Sequence, residues 1–256
     1  MYHLAKGLYM LATSKEEYSV ILLGLDNAGK TTFHEQVKAL FSPVQPAPPP
    51  KLQTVPTVGQ NVSTITLPDM YMKLWDVGGQ LSLRKLWQSY YQSCHAIVFI
   101  IDSTDIGDGL FLDGGAAATS KDGDGSGSSA AKDATGKTSS SLDEPSSSAA
   151  GGGGEEGATR LDECRAVLED VLQHSDTEGV PLLILANKQD REDCVEVVRI
   201  KEGLVKKVFE GEKASSIRDS RVLPVSALTG TGVREAVEWL RSRVKWNKES
   251  RPPVMR

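Results

Sequence analysis

The chain has 256 residues, of which 39% are hydrophobic and 25% are charged, and its formal net charge is −5. This length allows one large domain or two small ones. The acidity belongs to one segment, because residues 107–157 contain nine acidic residues and three lysines, which leaves the remainder close to neutral. Without a basic excess in that remainder, the sequence predicts no nucleic-acid partner.

Cysteine content and hydropathy argue against two further classes. Cys94, Cys164 and Cys194 are odd in number and scattered, so we interpret them as reduced cytosolic residues and not as a metal or redox site. Apolar runs such as Ala96–Ile101 are much shorter than the ~18 residues that a membrane-spanning helix needs. The first 20 residues contain no signal-peptide core. A soluble cytoplasmic chain is expected, unless something anchors it to a membrane.

The N-terminal segment, residues 1–17, is predicted to form an amphipathic helix. Leu4, Leu8 and Leu11 fall on one face of a helix over residues 2–12. Such a face can pack on the surface of the chain's own domain or on a membrane, and the spacing leaves both alternatives open.

Strand and helix patterns alternate from residue 18 to about residue 246. Runs rich in Val and Ile at Tyr18–Leu23, Ala96–Ile101 and Leu182–Ala186 predict strands that are covered on both faces. Val62–Leu67 and Met70–Trp75 flank a Pro-Asp turn and predict a hairpin. The alternation predicts one doubly wound α/β domain. Its helices carry the apolar stripes Leu161, Cys164, Leu168, Val171 and Leu172, and Val233, Val237, Leu240 and Val244.

Two segments interrupt this pattern. Residues 107–157 contain 13 Gly, 10 Ser and 8 Ala, and too few large apolar side chains to offset their ordering entropy, so residues 106–157 are predicted to be a disordered insertion. It is either a neutral loop or a platform for phosphorylation. Ser42–Pro56 contains six prolines and is predicted to be a stiff loop without helix. The domain is therefore expected to comprise residues 18–105 and 158–247, followed by a tail, residues 248–256.

A glycine-bounded loop follows the first predicted strand. Residues 24–31, GLDNAGKT, fit the pattern G-x-x-x-x-G-K-[ST] between a strand and a helix. In this pattern backbone N–H groups converge on phosphate, the lysine reaches the outer phosphates and the hydroxyl residue ligates Mg²⁺. Thr31 is thus a predicted metal ligand. The predicted nucleotide-binding residues here are Gly24, Leu25, Asp26, Asn27, Ala28, Gly29, Lys30, Thr31 and Thr32.

The pattern NKQD at residues 187–190 favours guanine over adenine. Asp190 can accept hydrogen bonds from the ring N–H and the exocyclic amine of guanine, a pair of donors that adenine lacks. Lys188 can lie along the base, and Asn187 can bond its far edge. The next strand ends in Ser226-Ala227-Leu228, whose alanine can present its N–H to the guanine carbonyl. GTP or GDP is therefore the predicted ligand.

The stretch WDVGGQ, residues 75–80, supplies groups for the terminal phosphate. Asp76 is placed to hold Mg²⁺ through its coordinated water, the Gly79 N–H can meet the γ-phosphate, and Gln80 is the predicted catalytic residue that orients the attacking water. Thr57 can complete the Mg²⁺ ligands only when the γ-phosphate is present. We interpret Arg84 as part of a solvated face, so a helper protein is expected to accelerate slow hydrolysis.

Together these residues resemble the small GTPases of the ADP-ribosylation factor (Arf) family. The motifs GLDNAGKT, WDVGGQ, NKQD and SAL occur in the family's order, and the likeness covers about residues 1–244 apart from the insertion. The resemblance implies a P-loop fold with a six-stranded, mostly parallel sheet and helices on both faces. It implies Mg²⁺ as cofactor, GTP hydrolysis to GDP, and as partners an exchange factor, a GTPase-activating protein and effectors.

Shorter stretches are most similar to the Arf-related GTPases of the Golgi: MYHLAKGLY at the start, STD after the fourth strand, TGTGVREAVEW and the RPP tail. This implies vesicle trafficking, reversible binding to the cytosolic face of the trans-Golgi membrane, and an N-terminal helix that is expelled towards the membrane in the GTP state. Tyr2 replaces the glycine that Arf proteins myristoylate, which excludes that anchor. The resemblance suggests N-terminal acetylation and an integral-membrane receptor instead. Gln60 stands beside Trp75 and Tyr90 in place of a third effector-binding aromatic residue, so ordinary Arf effectors are not assumed.

Two other functions fit part of the motifs. A nucleotide-binding scaffold with negligible GTP hydrolysis would need no water-positioning group, and Gln80 argues against it. A P-loop kinase would need a lid of arginines, whereas the sequence between Asp102 and Thr159 contains none.

Overall fold

A seven-stranded sheet organises the residues that the computed structural model describes, which are 14–44, 46–53, 55–105, 159–210 and 219–256. These residues belong to one unit of the fold. The predicted N-terminal helix up to residue 13 and the predicted disordered insertion lie outside the described residues. The end of that helix was predicted wrongly, because residues 14 and 15 have no regular structure and Glu16 and Glu17 belong to a strand. The division into domain and tail stays a prediction.

The sheet is mixed but mostly parallel. Six strands lie in the order β2-β3-β1-β4-β5-β6; β2 runs antiparallel to β3, and the short β7 runs antiparallel to β1. The mostly parallel sheet is confirmed, and β7 adds a two-residue strand to the six that were predicted. The strands are β1 (Glu16–Leu23), β2 (Gln60–Thr66), β3 (Met70–Val77), β4 (Ala96–Asp102), β5 (Leu182–Asn187), β6 (Ser220–Pro224) and β7 (Val254–Met255).

Helices cover both faces of the sheet. The two predicted stripes are buried on α3 and α6, as their periodicity requires. The helices are α1 (Lys30–Leu40), α2 (Gln88–Tyr91), α3 (Arg160–Gln173), α4 (Val197–Ile200), α5 (Lys207–Phe209) and α6 (Val233–Trp246). Two 3₁₀ helices span Leu81–Leu86 and Ser175–Thr177, and the π-helical stretch Lys201–Lys206 connects α4 to α5. Within the described ranges, no helix is both long and apolar enough to cross a membrane.

Successive residues of β1 pack alternately into two hydrophobic cores, one on each face of the sheet. Val20 and Leu22 pack in the core beneath α1 and α6, whereas Ile21 and Leu23 pack in the core beneath α3. All four side chains are fully buried, and each contributes about 1.5–3 kcal/mol of transfer free energy. Burial on both faces explains why the sequence here is continuously apolar and does not alternate.

The carboxyl ends of the parallel strands meet at one edge of the sheet. The strand register pairs Leu22 with Asp76, and Asp102 with Asn187, so the loops after β1, β3, β4 and β5 emerge side by side. Ligands of open α/β sheets bind at such an edge. The described part of Ser42–Pro56 contains neither helix nor strand, which confirms the prediction that this loop is not helical.

Candidate nucleotide-binding site

A cavity of about 240 Å³ opens at this edge of the sheet. The structure brings together residues that the sequence predicted from separate motifs, including the phosphate loop, the end of the Pro-rich loop and the NKQD motif. The lining residues are Asp26, Asn27, Gly29, Lys30, Thr31, Thr32, Val55, Pro56, Thr57, Gly79, Gln80 and Lys188.

The phosphate loop wraps around the side chain of Lys30. Gly24 turns the chain at φ 136°, where an added Cβ would lie 2.2 Å from the Ile100 carbonyl oxygen, so only glycine fits. The Lys30 ammonium donates to the carbonyl oxygens of Gly24 (3.0 Å) and Leu25 (2.6 Å) and is 6% exposed. Burial lowers the pKa of Lys30 to about 8, although the charge of Asp76 opposes the shift. A phosphate group would supply the negative charge that this buried cation lacks.

Two threonines and an aspartate form a site that fits Mg²⁺. The hydroxyl oxygens of Thr31 and Thr57 lie 2.7 Å apart. Adjacent ligands of an octahedral Mg²⁺ ion, each 2.0–2.1 Å from the metal, lie about 2.9 Å apart. Asp76 is fully buried; its Oδ2 accepts from Thr31 (2.8 Å) and Asn61 (2.9 Å).

The other carboxylate oxygen of Asp76, Oδ1, has no hydrogen-bond partner among the residues that the structure describes. A buried carboxylate oxygen needs a polar partner, and a water bound to Mg²⁺ would provide one. The described residues contain no cluster of three or more His, Cys, Asp or Glu that could hold a metal ion. A Mg²⁺ ion bound to the two threonine hydroxyls would take its remaining ligands from phosphate and water, as is usual for this ion.

The segment after β3 reaches directly under the phosphate loop. A Cβ on Gly79 would lie 2.4 Å from the Lys30 ammonium and 2.7 Å from the Asp26 nitrogen, so glycine alone permits this approach. Gly78 donates its N–H to the Gly59 carbonyl (3.0 Å), and its carbonyl accepts from the Trp87 indole (3.0 Å). Gln80 follows, exposed and at the mouth of the cavity. Its catalytic role stays a prediction.

The NKQD motif is held from several directions. Asp190 is exposed, and its carboxylate accepts from the hydroxyl of Ser226, which is buried. Lys188 adopts a left-handed backbone conformation (φ 65°), and its ammonium forms an ion pair with Asp102 at the end of β4. The hydrogen bond from Ser226 orients the exposed carboxylate of Asp190. The contact of Asp190 with guanine stays a prediction. Leu228 lies exposed on the neighbouring loop.

Asn187 connects two loops of the site. Its side-chain amide donates to the Ala28 carbonyl (2.8 Å), and its oxygen accepts from the Ala227 N–H (2.9 Å). Sequence reasoning assigned both Asn187 and the Ala227 N–H to the base, whereas here they bond to each other. Asn187 is 2% exposed, so it is a buried hydrogen-bonded link between the phosphate loop and the loop after β6.

Sequence reasoning missed a group of charged residues beside the cavity. The interpretation of Arg84 as a solvated face is wrong, because its side chain is 12% exposed and donates to the Gly79 carbonyl (3.0 Å) and to Glu163 (2.6 Å). Arg160 donates to the carbonyl and the carboxylate of Asp26, each at 2.9 Å. These partners are separated by 79 and 134 positions in the sequence, so no local pattern reveals them. The only available signal was the i, i+3 spacing of Arg160 and Glu163 on a predicted helix.

The residues of the aromatic motif also meet. The rings of Trp75 and Tyr90 lie 5.3 Å apart, and the Tyr90 hydroxyl donates to the Gln60 side chain. Gln60, which stands where a third aromatic residue was expected, thus contacts Tyr90 through a hydrogen bond.

Comparisons with known proteins agree with this geometry. The sequence profile of the ADP-ribosylation factor family matches residues 4–107 and 156–244. The chain is 43% identical over 255 residues to ADP-ribosylation factor-like protein 3 of Saccharomyces cerevisiae, covering 99% of both chains. It is 35% identical to human ADP-ribosylation factor-related protein 1, covering 100% of this chain and 98% of the relative. The structure of the Trypanosoma brucei Arl6 small GTPase with the nucleotide analogue GppNp matches with a TM-score of 0.58 at 23% identity, over 90% of this chain and 98% of that one, and shows the shared fold. The chain therefore belongs to the Arf family of small GTPases, whose members bind GTP and GDP and act as molecular switches.

Proposed function

We propose that this GTPase hydrolyses GTP to GDP and phosphate at the described cavity and that the change of nucleotide controls its binding to Golgi membranes and effectors. One observation carries the proposal. Thr57 and Gly79, from two separate loops, both reach the phosphate loop, at Thr31 and Lys30 respectively. A γ-phosphate between them would bind both loops, and its loss would release both and alter the surface that partners contact.

The residues around the cavity supply most of the requirements for hydrolysis. The Lys30 ammonium and the Gly79 N–H stabilise negative charge on the phosphoryl group, and the Gln80 amide orients the attacking water. Mg²⁺, when bound, neutralises phosphate charge. Arg84 and Arg160 lie beside the site, but both are engaged by carboxylates. We therefore expect slow intrinsic hydrolysis, which a GTPase-activating protein accelerates by up to ~10³–10⁵-fold.

Two measurements test the chemistry. The nucleotide that co-purifies with the protein is released and identified by chromatography, and GTP hydrolysis is followed under single-turnover conditions. We expect guanine nucleotide, and a Gln80→Leu variant that hydrolyses at least about tenfold more slowly. Gln88→Leu makes the same substitution at an exposed glutamine of α2 and should keep the wild-type rate. Bound adenine nucleotide would overturn the proposal, and an unchanged rate in Gln80→Leu would favour the scaffold with negligible hydrolysis.

Asp190 provides an independent test of base recognition. Asp190→Asn replaces one acceptor oxygen of the carboxylate with a donor, so one of the two hydrogen bonds to guanine is lost and a donor faces a donor. We expect GTP affinity to fall by at least about tenfold, since a hydrogen bond to a charged group contributes about 1.5–3 kcal/mol. Wild-type affinity in this variant would show that the NKQD motif does not select the base.

The proposal of a Golgi location rests on the likeness of the chain's termini to the Golgi Arf-related GTPases. The proposed partners are an exchange factor, an integral-membrane receptor and effectors that bind near Trp75, Tyr90 and Gln60. Fluorescent fusions imaged with a trans-Golgi marker test it. Gln80→Leu should be concentrated on the Golgi and Thr31→Asn should be dispersed in the cytoplasm. Equal distribution of the two variants would refute nucleotide-controlled Golgi binding.

A further inference from the structure

A chain of charge-assisted hydrogen bonds runs from the phosphate loop, through the first turn of α3, to the segment after β3. Arg160 donates to Asp26 at one end and to the Oε2 atom of Glu163 (2.8 Å). The Oε1 atom of Glu163 accepts from Arg84 (2.6 Å), and Arg84 donates through its Nε to the Gly79 carbonyl (3.0 Å). Glu163 therefore uses one carboxylate oxygen for each arginine.

The start of α3 is built to hold these side chains in place. Thr159 and Asp162 form a capping box, in which the Thr159 hydroxyl accepts from the Asp162 N–H and the Asp162 carboxylate accepts from the Thr159 N–H (3.0 Å). The cap fixes the first turn, so Arg160 and Glu163, three positions apart, share one helix face. Asp105 holds the Arg160 guanidinium from the other side, at 2.9 Å.

The bonds are partly shielded from water. The side chains of Arg84, Arg160 and Glu163 are 12%, 26% and 36% exposed, so their ion pairs are screened less than pairs on the open surface. Burial alone would raise the pKa of Glu163, but the hydrogen bond from Arg84 and the charge of Arg160 hold it below its ordinary value. Glu163 therefore stays ionised and holds both arginines at neutral pH.

We propose that Arg84 and Glu163 are positioning residues for Gly79, and hence for the γ-phosphate of GTP, and that Arg160 is a positioning residue for the phosphate loop. The inference rests on the proposed function in one respect: the Gly79 N–H must contact the γ-phosphate. The two ends of the network then differ in what they sense. Asp26 belongs to the loop that holds GTP and GDP alike, whereas Gly79 meets a group that only GTP carries.

Because of this difference, substitution of Arg84 and substitution of Arg160 should change the release rates of GTP and GDP in different ratios. Arg84→Gln removes the clamp on the Gly79 carbonyl, so we expect a non-hydrolysable GTP analogue to dissociate about tenfold faster while GDP dissociation changes less than about twofold. Arg160→Gln removes the bonds to Asp26, so both nucleotides should dissociate faster by similar factors. A general loss of folding stability would not separate GTP from GDP in this way.

The experiment measures the release of fluorescent GDP and of a fluorescent, non-hydrolysable GTP analogue from full-length protein in excess Mg²⁺. Glu163→Gln and the double variant with Arg84→Gln complete a cycle. If the residues act through one another, the double variant releases the GTP analogue no faster than the faster single variant. Glu238→Gln removes the carboxylate of another i, i+3 ion pair, on α6 on the other face of the sheet, and should match wild type.

Three outcomes decide the matter. GTP-selective acceleration by Arg84→Gln, without additivity in the cycle, supports the inference. Equal acceleration of both nucleotides by Arg84→Gln, or multiplication of the two single effects in the double variant, overturns it. A wild-type protein that binds no guanine nucleotide would overturn the proposed function as well, so the two failures are distinguishable.

Discussion

Replacement of Asn187 by alanine should weaken the nucleotide site and the fold together. The substitution leaves the Ala28 carbonyl and the Ala227 N–H without their partner, at bond lengths of 2.8 and 2.9 Å in the intact protein. Both alanines are 1% exposed, so water cannot replace the lost bonds without movement of the loops. Each buried orphan costs about 1–3 kcal/mol, which gives about 2–6 kcal/mol for the pair.

The lost hydrogen-bond free energy can lower either the folding stability or the affinity for nucleotide. If the loops stay in place, the cost appears as reduced stability; if they relax, it appears as faster nucleotide release. Thermal unfolding in saturating Mg²⁺ and GDP contains both contributions, because bound nucleotide is linked to folding. For a folded domain of this size, 2 kcal/mol corresponds to a decrease of at least about 4 °C in Tm.

Two comparisons test the reasoning. Asn187→Asp keeps the acceptor for Ala227 but loses the donor to Ala28 and places a carboxylate against that carbonyl, so it should be no more stable than Asn187→Ala. Gln53→Ala removes an exposed amide and should change Tm by less than about 2 °C. A Tm for Asn187→Ala within 2 °C of wild type would refute the assignment of Asn187 as a stabilising link between the two loops.

Three other predictions concern the metal, a proton and the C-terminus. Thr31→Ala removes the hydroxyl that contacts Thr57 and Asp76, so GDP release in excess Mg²⁺ should become nearly as fast as release from wild type after chelation of the metal. Burial lowers the pKa of Lys30 to about 8, and the negative charge of a bound phosphate should raise it again. GDP binding should therefore take up about half a proton at pH 8 and about a tenth at pH 7, and the affinity for GDP should fall as the pH rises above 8. Calorimetry of nucleotide-free protein in buffers of different ionisation enthalpy measures this uptake, and equal values at both pH values would contradict it. Arg251→Ala removes the guanidinium that donates to the backbone carbonyls of Tyr91, Cys94 and Asp176, so thermal unfolding should show a loss of about 1–3 kcal/mol with unchanged nucleotide release.

The sequence predicted those features that local physical constraints encode. A strand buried on both faces requires a continuous apolar run, and a loop that approaches phosphate requires glycine, so β1 and the loop at Gly24 could be identified from adjacent residues alone. Gly79 could be identified in the same way from the motif WDVGGQ, although the side chain that excludes a Cβ there, Lys30, lies 49 positions away. Each of these features leaves a recognisable pattern within a few adjacent residues.

The features that sequence reasoning missed depend on contacts between distant residues. Arg84 looks like a surface residue until the fold places Glu163 opposite it, and the contact of Asn187 with Ala28 spans 159 positions. The strand β7 has only two residues, both exposed, and so carries no apolar pattern. Its position follows from pairing with Glu16 and Glu17 of β1, which a single sequence cannot reveal.

The position of Arg160 also explains how the domain can accept a long connection between β4 and α3 so close to its nucleotide site. Residues 106–158 connect Asp105 to the start of α3, and the ion pair between Asp105 and Arg160 holds the two ends of that connection together at 2.9 Å. For a flexible loop, the entropy of closure grows only with the logarithm of its length, so each doubling costs about 0.6 kcal/mol more. The capping box at Thr159 then starts α3 independently of what precedes it. Arg160 and Glu163 can thus keep their places beside Asp26 and Arg84 whatever the length of the chain between β4 and α3.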